Sequence, residues 1–225
     1  MKRLAILGST GSIGQSTLAV VAEYPGEFEV TGLAAGQNVK VLAEQIRQFS
    51  PARVSVQDET VAATLRELLS PGAAPDILWG PAGAREVAVA SGADLVVSAM
   101  VGAVGLSPTL AAIQAGLPVA LANKETLVAA GSLVMAAARE RGVSIIPVDS
   151  EHSAIFQALH GQRPEDVRQL WLTASGGPFR AWDLERLRGA KAAQALQPLS
   201  LRQSARYGRL AGTTPDRGGR ARHRA

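Results

Sequence analysis

Leu4-Ala5-Ile6-Leu7-Gly8-Ser9-Thr10-Gly11-Ser12-Ile13-Gly14 decides the fold. Four consecutive apolar residues make a compact buried strand. The run passes straight into Gly-x-x-Gly-x-x-Gly. Apolar residues then return at helical spacing over 13–24, at Ile13, Leu18 and Val21. Strand, glycine loop, helix is the context that a dinucleotide-binding fingerprint requires. The glycines permit a tight turn and close backbone approach, and the helix N-terminus receives the pyrophosphate. Glycine-rich turns are common, so the spacing alone is weak evidence. Its place between the first strand and the first helix makes it strong.

Outward from this stretch the same alternation continues. Apolar runs at 28–33, 53–56, 77–79, 94–98, 118–120 and 144–146 read as strands. Helical spacing covers 39–49, 59–69, 82–90, 106–115 and 127–141, with Gly142 as a stop. Residues 70–75 are a Pro/Gly/Ala loop. Strands alternating with helices predict a Rossmann-like, doubly wound parallel sheet, an α/β fold. After His152 the pattern shortens: a helix over 153–159, a polar connection over 160–166 and a strand over 170–174 read as the beginning of an α+β catalytic domain. The expected division is 1–149 for a nucleotide domain, 150–196 for an incomplete catalytic domain and 197–225 for a disordered basic tail.

A chain of 225 residues with 47% apolar residues and no cysteine can build a large core. It has no disulfide, thiolate metal site or cysteine nucleophile. The apolar run after Met1-Lys2-Arg3 is too short for a signal peptide, and no run reaches membrane-spanning length. These features lead to the expectation of a soluble cytoplasmic protein that does not enter a membrane. The net charge of +4 is uneven. Residues 197–225 hold seven Arg, no Lys, one Asp and no Glu, a charge of +6, which leaves −2 for the body. The tail has Tyr207 but no interleaved aromatics, which argues against a nucleic-acid partner.

Three loops carry candidate chemistry. The second strand ends in Ala34-Ala35-Gly36-Gln37-Asn38, with no acidic residue to bond the ribose hydroxyls. A small uncharged loop leaves room for a 2′-phosphate and favours NADP over NAD; an ordinary turn with Asn38 as N-cap is the alternative. Next, Ala122-Asn123-Lys124-Glu125 sits between a strand and a helix, where Lys124 can hold a phosphate or substrate oxygen as a point charge. Its alternative is a solvated helix start with Glu125 in the first turn. Finally, Pro147-Val148-Asp149-Ser150-Glu151-His152 follows a strand. In extended backbone, Asp149 and Glu151 at i and i+2 project to one side and make a hard-oxygen site for Mg²⁺ or Mn²⁺. The competing reading is Asp149 or Ser150 as the N-cap of a helix starting near His152. Further on, Ser175-Gly176-Gly177 offers N–H groups and a hydroxyl to an anion, or is a plain turn.

Together these segments resemble one family. Gly8-Ser-Thr-Gly-Ser-Ile-Gly14, Ala35-Gly-Gln-Asn38, Leu121-Ala-Asn-Lys-Glu-Thr-Leu127, Pro147-Val-Asp-Ser-Glu-His152 with Ala154-Ile-Phe156, and Thr173-Ala-Ser-Gly-Gly-Pro-Phe-Arg180 occur in order over residues 1 to about 196. They closely resemble 1-deoxy-D-xylulose 5-phosphate reductoisomerase, an oxidoreductase and isomerase of non-mevalonate isoprenoid biosynthesis. The resemblance implies rearrangement of a ketose phosphate and its reduction with NADPH to 2-C-methyl-D-erythritol 4-phosphate. It implies a divalent cation, Mg²⁺, Mn²⁺ or Co²⁺, and a homodimer for the full-length family. By position Asp149 and Glu151 are metal ligands, and Glu151, Lys124, Ser150 and Ser175 contact substrate. Thr10, Gly11, Ser12, Ile13, Gly36, Gln37, Asn38, Asn123 and Glu125 line the NADPH site, and His152 supports. Gln37 is a departure, since a basic residue is common there; it weakens rather than abolishes the grip on the 2′-phosphate.

After Leu196 the expected His-Pro-Asn-Trp-Ser-Met-Gly, Asp-Ser-Ala and Asn-Lys-Gly-Leu-Glu motifs are absent, and with them a third metal carboxylate and a lid. We read the chain as C-terminally truncated or frameshifted after about residue 196, because shifted frames of a GC-rich gene are rich in Arg, Ala and Gly codons. The expectation for this polypeptide is NADPH binding with little turnover. The alternatives are another Rossmann dehydrogenase, of the homoserine or aspartate-semialdehyde kind, and a non-enzymatic nucleotide-binding module with a basic arm.

Overall fold

The computed structural model describes residues 1–69, 74–170, 179 and 181–195. It separates into two compact units, Met1–Leu170 and Trp171–Ala225. The first unit is a seven-stranded sheet: β1 (Lys2–Leu7), β2 (Phe28–Ala34), β3 (Arg53–Val56), β4 (Asp76–Trp79), β5 (Leu95–Ser98), β6 (Val119–Leu121) and β7 (Ile145–Pro147). Their order is β4-β3-β2-β1-β5-β6-β7, and every pairing is parallel. The order reverses at β1, whose neighbours are β2 and β5. The doubly wound parallel sheet expected from the alternation is therefore present.

Helices α1 (Ser12–Glu23), α2 (Val39–Phe49), α3 (Glu59–Leu68), α4 (Gly80–Ala90), α5 (Leu106–Gln114), α6 (Lys124–Arg141) and α7 (Ser150–Leu159) connect and follow the strands. The alternation of side chains along β1 explains why both faces need cover. Leu4 and Ile6 enter one core with Leu18 and Val21 of α1 and with Leu42, Ala43 and Ile46 of α2. Ala5 and Leu7 enter the other, with Val87 of α4, Ala112 and Ile113 of α5, and Val134 of α6. Caps set the helix ends. Asp58 accepts from the Val61 N–H at 3.0 Å to start α3. Gly142, at φ +64°, ends α6 where a stop was expected. Inside α6 the backbone leaves helical angles at Ala130, immediately before the Gly131-Ser132 pair.

Two helices start three residues before expectation, and both bear on chemistry. α6 starts at Lys124, three residues before the expected Leu127, and α7 starts at Ser150 instead of 153. Residues 171–174 of the expected strand, Ser175 and the tail over 197–225 lie outside the described residues. In the second unit, α8 (Leu184–Arg188) is capped by Asp183, and the Arg186 guanidinium lies 4.7 Å over the Trp182 ring. A short α9 (Ala192–Ala195) follows.

The starts of the central strands β1 and β5 are joined by an exposed ion pair. Arg3 at the start of β1 donates from Nη2 to Asp94 Oδ1 at 2.7 Å and from Nε to Oδ2 at 3.1 Å. The Arg3 hydrogen bond is the leading cause that lowers the Asp94 carboxyl to about 2. A carboxyl depressed in the folded state stabilises above its ordinary value near 3.8 and loses that contribution as pH falls through about 2. Asp94→Asn is therefore expected to flatten the fall of Tm between pH 4 and 2 relative to the parent chain, by a small, salt-sensitive amount. Identical acid profiles for the two chains would remove this pair from the account.

Candidate active site

The carboxyl ends of the central strands surround one cavity of about 420 Å³. Its walls are the glycine loop at Gly11, Ser12 and Ile13, the segment 99–101 after β5, the segment 122–125 after β6, and 148–150 after β7. It opens beside the β1–β5 reversal, the place where open α/β sheets bind ligands.

The glycine loop is tightly built. Gly8 has φ +87°, and a Cβ there would stand 2.5 Å from the Ala99 carbonyl oxygen. A Cβ on Gly14 would stand 2.3 Å from the Gly8 oxygen. At Gly11 the nearest atom is the Gly8 oxygen at 3.3 Å, a contact relieved by a shift of a few tenths of an ångström, so the fold needs a glycine there far less than at Gly8 or Gly14. The Gly11 N–H closes the turn on the Gly8 carbonyl at 3.1 Å. α1 has no acidic residue in its first turn and no side-chain cap. The backbone N–H groups of Thr10, Ser12 and Ile13 have no acceptor among the described residues. Free donors at a positive helix end suit an anion. At the end of β2, Gly36, Gln37 and Asn38 are exposed, and Asn38 Oδ1 accepts from the Val41 N–H at 3.4 Å. The capping alternative for Asn38 is thus present, on a loop that remains open.

Asn123 is buried and works in both directions. Its Oδ1 accepts from the Thr126 N–H at 3.3 Å, capping α6, and its Nδ2 donates to the Gly102 carbonyl at 2.9 Å. The second bond ties the loop after β6 to the loop after β5. A Cβ on Gly105 would come within 2.5 Å of Nδ2, so that glycine makes room for the amide. Because Asn123 is the cap, Lys124 and Glu125 stand in the first turn of α6, which is the helix-start reading of this segment and not the loop reading.

Lys124 Nζ donates to Asp149 Oδ2 at 3.1 Å, across the neighbouring ends of β6 and β7. The hydrogen bond and charge of Asp149 raise the Lys124 pKa, so the ammonium persists. The Lys124 hydrogen bond, opposed by burial, lowers the Asp149 pKa. Asp149 is the more buried partner, with 12% of its side chain exposed. Its backbone is not part of a continuing strand: Ser150 opens α7, and Glu151 lies in its first turn. The pleated i, i+2 geometry expected for the two carboxylates is corrected accordingly. The helix places them as neighbours by another route, and Glu151 contributes to the electrostatics of both Asp149 and Lys124. Ser150 Oγ donates to Glu151 Oε2 at 2.6 Å, and His152 Nδ1 lies 3.6 Å from Asp149 Oδ1.

The site suits a dinucleotide: free N–H donors, an apolar wall from Ile13, Met100 and Val148, and a cation at the far end. For a hard cation it is right in kind and short in number. Among the described residues no three His, Cys, Asp or Glu converge, and Asp149 already carries the Lys124 ammonium. Sequence reasoning missed Ala99-Met100-Val101. The signal was available in outline, because a strand placed next to β1 must deliver its following loop to the same mouth.

A family model described as 1-deoxy-D-xylulose 5-phosphate reductoisomerase matches residues 4–131, and one for that enzyme's C-terminal domain matches 145–199. The curated reductoisomerase of Prosthecochloris aestuarii is 58% identical over 197 residues, 88% of this chain. The chain belongs to the 1-deoxy-D-xylulose 5-phosphate reductoisomerase family. It spans about half the length of the curated relatives it matches, 51% in that case. Among solved structures, the family member from Zymomonas mobilis in complex with NADPH is 40% identical with a TM-score of 0.76, covering 87% of this chain and 51% of that one. A DOX-P reductoisomerase in complex with NADPH, fosmidomycin and magnesium is 38% identical with a TM-score of 0.73, covering 88% and 51%. Family membership removes an unrelated Rossmann dehydrogenase as a reading of this chain. Among the described residues no helix is long and apolar enough to cross a membrane.

Proposed function

We propose that this chain is the NADPH-binding half of a reductoisomerase that converts 1-deoxy-D-xylulose 5-phosphate to 2-C-methyl-D-erythritol 4-phosphate in isoprenoid biosynthesis. One observation carries the reading: a single cavity joins the free N–H groups of the glycine loop to the Lys124–Asp149 pair. Thr10, Gly11, Ser12 and Ile13 receive the pyrophosphate, Gly36, Gln37 and Asn38 the phosphorylated ribose, and Asn123 and Glu125 the nicotinamide end. NADPH, when bound, supplies the hydride. Lys124 meets a substrate oxygen with a charge that its raised pKa maintains. Ser150 holds a substrate hydroxyl or phosphate oxygen, and Ser175, outside the described residues, keeps the substrate contact that the resemblance implies. Asp149 and Glu151 contribute hard oxygens to a divalent cation, which supplies Lewis acidity to the substrate's carbonyl. The proposed division is 1–149 for cofactor and 150–196 for the start of the catalytic part. A cytoplasmic setting, expected from the sequence, and a homodimer, implied by the resemblance, complete the proposal.

Titration of the 225-residue chain with NADPH and NADH tests it. NADPH is expected to bind about tenfold more tightly, a margin equal to one charge-assisted hydrogen bond to the 2′-phosphate. Gln37→Arg is expected to widen that margin about tenfold by bidentate contact, with NADH unchanged. No NADPH binding, or equal response of both nucleotides to the substitution, would contradict the assignment.

A further inference from the structure

Two glutamines grip the glycine loop from behind. Gln45 of α2 is 7% exposed, and its Nε2 donates to the Ser9 carbonyl at 2.9 Å. Gln15 of α1 donates from Nε2 to the next carbonyl, Thr10, at 2.8 Å. Both glutamines line a separate cavity between α1 and α2, whereas Gly11, Ser12 and Ile13 line the cavity at the strand ends. A carbonyl only accepts, so the amide nitrogen must face it and the Gln45 orientation is fixed. That orientation leaves Gln45 Oε1 buried without a partner among the described residues. An unpaired buried oxygen is unfavourable, and an apolar residue of the same size would avoid it. Such local conflicts concentrate where a site must be held in shape.

A trans peptide is planar, with its N–H opposite its C=O. Holding the Ser9 carbonyl toward Gln45 therefore turns the Thr10 N–H the other way, where it has no intramolecular acceptor among the described residues. Holding the Thr10 carbonyl toward Gln15 sets the next peptide, whose Gly11 N–H locks the turn on Gly8. We propose that Gln45, assisted by Gln15, is a positioning residue that orients the 9–10 and 10–11 peptides so that the loop presents the Thr10 N–H to the diphosphate of a bound dinucleotide. This rests on the NADPH reading above. α2 also begins just after Gly36-Gln37-Asn38, so one helix supports both the ribose loop and the diphosphate loop.

The test compares the parent chain, Gln45→Met and Gln15→Met for affinity toward NADPH and toward adenosine 2′-monophosphate, which lacks the diphosphate, with Tm recorded for each. Gln45→Met is expected to weaken NADPH about tenfold and to change adenosine 2′-monophosphate by less than about twofold. Its Tm is expected to shift by only a few degrees, because the orphaned Gln45 oxygen is removed while the buried Ser9 carbonyl loses its donor. Gln15→Met, at an exposed position, is expected to show the same selective loss to a smaller extent, and it decides the matter alone if Gln45→Met does not fold. Unchanged NADPH affinity, or a parallel loss of both ligands that tracks a lowered Tm, overturns the positioning role while leaving the NADPH reading intact. A parent chain that binds no NADPH overturns both, and that result appears before any substitution is made.

Discussion

Gly14→Ala is expected to weaken NADPH binding by on the order of a hundredfold and to lower Tm by several degrees. The added Cβ would meet the Gly8 oxygen at 2.3 Å, Ser9 Cα at 2.5 Å and the Ser9 oxygen at 2.6 Å. All three are backbone atoms, so no side-chain tip can swing aside. Overpacking of this kind costs about 1–3 kcal/mol, which is roughly 2–12 °C for a chain of this size. The larger effect is on binding. The loop must shift, and its N–H groups lose their aim. Two charge-assisted bonds lost amount to about 3 kcal/mol or more, on the order of a hundredfold in affinity. Gly11→Ala provides the contrast. Its Cβ would meet only the Gly8 oxygen, at 3.3 Å. Tm should hold while NADPH affinity falls, because there the glycine leaves space for the ligand and not for the fold. Calorimetric titration and thermal melts of the two variants separate these outcomes. Undiminished NADPH affinity in Gly14→Ala would mean that the loop is not the diphosphate cradle.

The second large effect is on turnover. Mixed with 1-deoxy-D-xylulose 5-phosphate, NADPH and Mn²⁺, the 225-residue chain by itself is expected to consume NADPH at least about a thousandfold more slowly than the Prosthecochloris aestuarii relative assayed alongside. The loss of even one preorganised contact to developing charge can cost that much. Here the described residues offer Asp149 and Glu151 without a third convergent ligand, and Asp149 is held by Lys124. A cation added to this chain must compete with that ammonium. The decay of NADPH absorbance reads the rate directly, and a rate comparable to the relative's would show that these residues suffice.

The fold was largely legible in the sequence because its signals are local. The run over 4–7 followed by three glycines could serve only a strand, a turn and a helix, and the apolar spacing of α2 located Val39–Phe49 to the residue. The starts of α6 and α7 were less legible. A polar string such as Asn123-Lys124-Glu125 reads equally as a loop or as a capped first turn. What decides is the pair of bonds Asn123 makes to Thr126 and to Gly102, the second of them 21 residues away. Ser150-Glu151-His152 likewise opens α7 instead of extending β7. The Lys124–Asp149 pair was not legible at all, since it exists only because β6 and β7 are neighbours. The Gln45 bond to Ser9 was hidden for the same reason: an interior helix position and a loop carbonyl 36 residues apart carry no shared sequence signal.

The most direct measurement is residue-resolved amide exchange of the 225-residue chain with and without NADPH. The cavity assignment predicts that NADPH slows exchange of the Thr10, Ser12 and Ile13 N–H groups, which have no acceptor among the described residues, and of amides in the segment 122–126, while the far ends of β3 and β4 are unaffected. Protection confined to another surface, or unchanged exchange at residues 10–13 under saturating NADPH, would contradict the account.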